Sequence, residues 1–471
     1  MKHMDSLWKK WSRFRNRTGR HMTSGQMMAA GFAAAILVGG VLLSLPVCNA
    51  DGHFLAFEDA LFTSCSAVCV TGLVTVVPAA QFNMLGKLLL LFLIQLGGFG
   101  IIAFTMGAFL VLKKQITLRN RVLIQQGYDQ NTMSGIVALL RYIIAGTFLI
   151  EGLGAVGYAF QFVPQYGWLR GIWYSVFHSV SAFCNAGIDL LGENSLGDYV
   201  TNPLVNTVTI FLIIVSGLGF PVWKELLLVI RRVRSGECSL KKAVCRMKLH
   251  AKVALIVTGV LVLGGAAAVF LMEFSNPETL GDMSLPEKCM AALFQSVTTR
   301  TAGFFTIPQD LFRPESQLLS CMMMFIGGSP GGTAGGVKTT TVFMLAATCW
   351  AVLKGKEDTE CFRRRIPFAN IRTGFAVFSV SFMAVLSGTL LLLILEPVTI
   401  TQALYEVVSA VATVGLTTGI TPVLSTAGKL VIIVLMYLGR LSPVTMALIV
   451  ASKVGKKNTK AKLPEERMMI G

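Results

Sequence analysis

Four short segments of this 471-residue chain are variations on one theme: SAVCVTG at 66–72, SAFCNAG at 181–187, SVTTRTAG at 296–303 and SAVATVG at 409–415. Their final glycines, Gly72, Gly187, Gly303 and Gly415, recur at intervals of 115, 116 and 112 residues. A long apolar stretch and then a short amphipathic run with an aromatic residue precede each one. A second apolar stretch with a glycine near its middle follows. A unit used four times at a fixed period predicts four pieces arranged around one axis. Repeated about such an axis, a glycine-bearing loop can bring backbone carbonyls together to replace the water shell of an ion.

The solvent for such a fold is a bilayer. The chain is 54% hydrophobic and only 14% charged, with a mean hydropathy of +0.67. Apolar runs at 26–46, 88–112, 136–163, 205–230, 251–274, 318–352, 374–395 and 430–450 each reach the roughly 20 residues that cross a hydrocarbon core. The expected fold is an all-α membrane protein of four pseudo-symmetric helix–pore helix–loop–helix repeats around one central pore. It has eight transmembrane helices and four re-entrant pore helices. The chain divides into an N-terminal tail (1–25), repeats at 26–112, 135–230, 249–352 and 372–452, and a C-terminal tail (453–471).

A net charge of +17 could signal nucleic acid, but its distribution excludes that. Of the 41 Lys and Arg residues, 31 fall in the two tails and in 113–134, 231–252 and 354–372, whereas the alternate loops 47–86, 161–203, 273–315 and 396–428 hold 0, 1, 3 and 0. This alternation is the positive-inside pattern, and it places both termini in the cytoplasm. The first apolar run is too long for a cleaved signal. The ten cysteines show no paired ligand spacing, and Cys65 and Cys69, at helical spacing, read as reduced packing residues.

Between the two spans of each repeat lies a segment too short to cross, such as 168–183, with Trp173, Phe177 and Val180 on one stripe, or 401–412. Four copies in register favour re-entrant half-helices over surface loops, since irregular backbone at that depth must line a cavity or be packed in protein. Their C-terminal dipole ends favour a cation. Acids in the outer loops (Asp51, Glu58, Asp59, Asp189, Glu193, Asp198, Glu273, Glu278, Asp282, Glu287) extend that preference, although any single one is as readily a solvated surface residue.

The candidate filter is Val70-Thr71-Gly72, Asn185-Ala186-Gly187, Thr301-Ala302-Gly303 and Thr413-Val414-Gly415, where glycine permits torsions that turn carbonyls inward. A metal cation is the ligand expected there. The third segment has one residue more between its serine and glycine, and its Arg300 is expected to pack behind the filter against an acid. The second span of the third repeat carries a segment expected to break the helix under the filter: Gly327, Gly328, Ser329, Pro330, Gly331, Gly332, Thr333, Ala334, Gly335 and Gly336, then Lys338. Six glycines and a proline cannot continue a helix. Gly331 to Gly336 also imitates a phosphate-binding loop, but the lysine is displaced by one residue and no strand precedes it. Mid-span Arg440 is expected to face the bundle interior.

With these motifs in place, the chain resembles the superfamily of potassium transporters that includes the Trk, Ktr and plant HKT proteins. The resemblance rests on the four glycine loops, GGSPGGTAGGVKTTT (327–341), QLGGFG (95–100) and YLGRLSPVT (437–445), and covers about 26–450. Within it the chain is similar to the Ktr membrane subunits (KtrB-type), with eight spans rather than the longer Trk set and a short C-terminal tail. The resemblance implies a homodimer docked on a cytosolic octameric RCK ring (KtrA-like). It also implies potassium uptake activated by ATP and inhibited by ADP on that partner, stimulation by sodium, and a bacterial cell membrane. It makes the glycine-rich segment an intramembrane gate near Arg440. Serine is common where Gly332 stands, and the glycine is expected to loosen the loop.

No soluble sensor domain is embedded in the chain, so a cytosolic signal must act through another polypeptide. A sodium-permeable or Trk-type member is the alternative within the class, and Gly72 argues against sodium selectivity because serine there accompanies it in part of the plant group. An enzyme finds no support, since no span holds paired carboxylates or a nucleophile–base set. His178 alone of the five histidines lies in a re-entrant candidate, as a packing or hydrogen-bonding residue.

Overall fold

The computed structural model describes residues 24–100, 104, 106 and 136–441. The linker 113–134, most of the N-terminal tail, the far ends of the spans expected at 88–112 and 430–450, and the C-terminal tail lie outside the described residues.

The described helices of twelve residues or more fall into four sets. The first holds α1 (Ser24–Ser44), α2 (Phe57–Cys69) and α3 (Met84–Phe99). In the second, α4 (Ile136–Tyr166), α5 (Trp168–Cys184) and α6 (Pro203–Leu218) are followed by α7 (Phe220–Arg234). The third has α8 (Leu249–Glu273), α9 (Leu285–Thr298), α10 (Pro314–Phe325) and α11 (Thr339–Leu353), and the fourth α12 (Phe368–Leu395), α13 (Ile400–Ala412) and α14 (Thr426–Leu441). In every set the second, short helix packs on the long helix before it. Between sets, α3 packs on α5, α6 on α9, α10 on α13, and α14 returns to α2, so the contacts close into a ring.

Sequence explains where these helices start. Asn83 caps α3 by accepting from the Leu85 and Gly86 amides at 3.0 and 3.1 Å, and Asn202 caps α6 in the same way through Leu204 and Val205. Ser284 with Glu287, and Thr399 with Gln402, form capping boxes at α9 and α13. The four long helices are apolar on nearly every face and leave Val41, Phe160, Leu263 and Ile394 exposed, as helices immersed in lipid do. The short helices instead supply the core: Phe62, Phe177, Phe183, Phe294 and Tyr405 are all fully buried.

The eight expected spans are not eight straight helices. Four described helices are long and apolar enough to cross a bilayer, or five if a bent pair is one span. The run expected to span at 205–230 bends by 97° between α6 and α7. Gly219 makes that turn with φ 85°, ψ 148°, and Pro221 opens α7, where its missing N–H costs no helix bond. Gly100 ends α3 with nearly the same torsions, φ 76°, ψ 144°. The run at 318–352 separates into α10 and α11, with 326–338 non-helical and tied by a parallel bridge between Ile326 and Val337. A two-residue hairpin, β1 (Glu360–Cys361) and β2 (Arg364–Arg365), precedes α12.

Candidate functional site

The four short helices α2, α5, α9 and α13 end in the same backbone device. Val70, Asn185, Thr301 and Thr413 all have positive φ (57°, 61°, 70° and 52°), and two residues later Gly72, Gly187, Gly303 and Gly415 do so again (98°, 65°, 80° and 99°). Left-handed torsions are costly for β-branched valine and threonine, and their recurrence at one position of four loops marks a built feature. After three of the helices the amide that follows the left-handed residue bonds back to the serine carbonyl: Thr71 to Ser66, Ala186 to Ser181 and Val414 to Ser409, each 2.8 Å. In the third, Ala302 bonds to Thr298 at 3.0 Å instead, and the Thr298 hydroxyl donates to the Phe304 carbonyl as Ser181 does to Ile188. The additional residue is thus absorbed at the end of α9, and Thr301-Ala302-Gly303 stands in register with the other triplets.

The four glycines meet. A β-carbon on Gly72 would lie 2.6 Å from the Ala186 oxygen, one on Gly187 2.7 Å from that of Ala302, and one on Gly303 2.5 Å from that of Val414. A β-carbon on Gly415 would strike the Thr71 oxygen and lie 2.9 Å from the Gly72 Cα. Each glycine therefore faces the carbonyl that precedes the next glycine, in the cyclic order first, second, third, fourth, first. Four glycines from distant stretches of chain, each with the carbonyl that precedes it, are gathered at one place.

Beneath this ring lies the 326–338 segment. Ser329 N–H donates to Gly217 O at 2.9 Å, and Phe220 N–H to Gly331 O at 3.0 Å, so the segment is stitched to the bend between α6 and α7. Thr333 Oγ1 donates to Phe183 O and accepts from Asn185 Nδ2, both at 3.2 Å. A β-carbon on Gly335 would collide with Thr413 Oγ1. Arg440 points inward and grips the segment: Nη1 donates to Thr333 O at 2.8 Å and Nη2 to Gly97 O. Lys338 Nζ turns back to Ala334 O at 2.5 Å, within its own loop, leaving no cradle of the phosphate-binding kind.

Gly332 does not loosen the loop. A β-carbon there would lie 2.6 Å from Ser216 O and 3.2 Å from the Gly219 Cα, both backbone atoms. Glycine at 332 is what lets the loop approach the α6–α7 bend. Gly332→Ser is accordingly expected to cost about 1–3 kcal/mol through overpacking, seen as a lower melting temperature of the purified protein. An unchanged melting temperature would mean that the loop accommodates the side chain.

Several residues have roles other than those expected. Arg300 is buried, but its Nη2 donates to Thr258 Oγ1 at 3.2 Å, and no acid pairs with it among the described residues. A neutral hydroxyl on α8, rather than a carboxylate, receives it. Among the outer acids, Asp59 is paired with Lys429 at 2.7 Å, Glu58 accepts from Thr426, Glu287 caps α9, and Glu273 is fully buried against Asn276 and Thr279. These four brace helix ends. Asp189, two residues beyond Gly187, accepts from the Leu191 amide at 3.1 Å. His178, by contrast, has the packing and hydrogen-bonding role expected of it, among Tyr158, Phe162 and Phe177, with Nδ1 2.7 Å from Tyr174 O.

Four buried carboxylates, Glu151, Glu225, Glu396 and Glu406, escaped the sequence reading. Glu406, in α13 and fully buried, accepts from the Thr417 hydroxyl at 2.8 Å and from Thr421, just beyond the fourth glycine. Glu151, in mid-α4, accepts from Gln95. The available signal was an acid inside an apolar helical run, which is expensive in hydrocarbon.

The family model of TrkH, a cation transport protein, matches residues 9–460. The chain belongs to this family. Among its TrkH-family relatives, the potassium/sodium uptake protein NtpJ of Enterococcus hirae is 39% identical over 461 residues, covering 97% of this chain and 99% of that one. The Ktr system potassium uptake protein B of Bacillus subtilis is 39% identical over 438 residues, 93% of each chain. Its namesake from Vibrio alginolyticus is 33% identical over 446 residues, 95% of this chain and 94% of that one. In fold, the chain matches the crystal structure of the potassium transporter TrkH from Vibrio parahaemolyticus with a TM-score of 0.69, at 21% identity, over 90% of this chain and 85% of that one. A TrkH-family protein is a membrane transporter of cations, not an enzyme.

Proposed function

We propose that this protein takes up potassium across a bacterial cell membrane, through a pore whose filter is the ring of Gly72, Gly187, Gly303 and Gly415. The observation that carries the reading is the cyclic approach of each glycine to the next loop's carbonyl. Carbonyls collected about one axis can replace a potassium ion's hydration shell, and the four short helices, with their C-termini toward it, add a field that favours a cation. Because the four triplets differ in sequence, the site is less symmetric than a ring of identical chains.

The 326–338 segment is the gate in this account. It lies in the ion's exit path, and Arg440 both ties it there and adds positive charge that repels an entering cation. Both termini face the cytoplasm, and the basic loops form that face. Homodimers dock there on an RCK-type nucleotide-binding ring, where ATP and ADP set the gate. The β1–β2 tip suits such a contact: Phe362 and Arg363 both hold positive φ (49° and 60°), and Arg363, Arg364 and Arg365 are exposed. Sodium permeation or stimulation is a second reading, favoured by the printed name of the Enterococcus relative, which includes both ions.

The test is rescue of growth on limiting potassium in a bacterial strain lacking its own uptake systems. Restored growth with rubidium accumulation is the expected result. Failure of a well-expressed protein to restore it, with or without a nucleotide-binding partner, would contradict the reading.

A further inference from the structure

We propose that Glu151 is a positioning residue for the gate, an inference that rests on the 326–338 segment being the gate. Glu151 is 5% exposed and is the only charged residue of α4 between 142 and 165. A carboxylate at this depth is costly and tends to be kept for a functional reason. It accepts from Gln95 Nε2 at 3.1 and 3.4 Å, and Cys184 Sγ lies 3.9 Å from its Oε1 and 3.6 Å from Gln95 Oε1. No lysine or arginine forms an ion pair with it among the described residues.

Both neighbours of this carboxylate adjoin a residue that holds the gate. Two residues after Gln95, the Gly97 carbonyl accepts from Arg440, whose other nitrogen holds Thr333 O. One residue after Cys184, Asn185 donates to Thr333 Oγ1. Thr333 is therefore gripped from two sides, and Glu151 braces both. The brace is tight: a β-carbon on Gly98 would strike Cys184 Sγ, and Ser179 Oγ pins α5 to the Glu151 carbonyl at 2.6 Å. A carboxamide at 151 offers Gln95 Nε2 one acceptor oxygen where the carboxyl group offers two, so the Gln95 side chain is held less firmly, the anchor shared by α3 and α5 loosens, and the grip on Thr333 weakens.

The experiment is potassium uptake into proteoliposomes containing this chain alone, comparing the unmodified protein with Glu151→Gln, Arg440→Gln and the double variant. Glu151→Gln is expected to raise uptake roughly three- to tenfold while the preference for K⁺ over Na⁺ holds within about twofold. The double variant should rise no further than Arg440→Gln, because both changes release the same grip. A purely structural Glu151 would instead lower the amount of folded protein and act independently of Arg440. If Arg440→Gln leaves uptake unchanged, the gate reading itself fails. If Arg440→Gln raises uptake but Glu151→Gln does not, or if the two effects multiply, only the role of Glu151 is overturned. Should Glu151→Gln not yield folded protein, Gln95→Leu breaks the same contact from the other side, and its uptake decides the matter by the same criterion.

Discussion

Deleting residues 331–335 is expected to raise potassium flux through this chain by about tenfold or more and to remove most of its dependence on a cytosolic partner. The deleted stretch contains Thr333, which receives bonds from Arg440 and Asn185 and donates to Phe183, and Gly331, which accepts from Phe220. Each such bond is worth roughly 0.5–1.5 kcal/mol net, so losing four shifts the closed–open balance by about 2–6 kcal/mol, more than enough for a tenfold rise. The glycine-rich sequence adds little of its own to resist, having low helix propensity and few apolar side chains to bury. Selectivity should persist, because the glycine ring is built from other residues. Flux into proteoliposomes, with and without the partner, measures both effects. A deletion protein that folds, conducts no faster and stays partner-dependent would mean that the break only relieves packing among crowded helices.

Much of the architecture was legible because glycine and proline act locally. The short helix expected at 168–183 is found at Trp168–Cys184, and the one expected at 401–412 at Ile400–Ala412. The interruption after Phe325 follows from six glycines and a proline, whatever surrounds them. Long-range consequences were not legible. The 97° bend at Gly219 looks in sequence like another glycine in an apolar run, and its turn is fixed by the 326–338 segment more than a hundred residues away. Gly332 was misread for the same reason: a glycine in isolation signifies looseness, whereas against Ser216 and Gly219 it signifies close approach. The buried carboxylates Glu151 and Glu406 stood in plain view within apolar runs, but their hydroxyl and amide partners lie on other elements. Arg300 was paired with an acid on electrostatic grounds, and the fold offers it Thr258.

The second large effect concerns the ring itself. Gly72→Ser or Gly187→Ser places a β-carbon within about 2.6–2.7 Å of a neighbouring loop's carbonyl, where no ordinary contact exists, and at a positive φ that serine adopts poorly. The carbonyl must move, and its outward rotation removes one ligand from the ion's coordination while a serine hydroxyl offers another of different reach. Loss of K⁺ over Na⁺ preference by about tenfold, or roughly 1.4 kcal/mol, is the expected result. The protein outside the ring should be spared, since both glycines lie in loops beyond the helix ends. The decisive measurement is the ratio of K⁺, Rb⁺ and Na⁺ fluxes through the unmodified protein and these two variants in proteoliposomes, at matched amounts of folded protein. K⁺ and Rb⁺ fluxes well ahead of Na⁺ are expected in the unmodified protein, and near-equal fluxes in the variants. Unchanged ratios in a folded variant would remove the glycine ring from the conduction path and contradict the account.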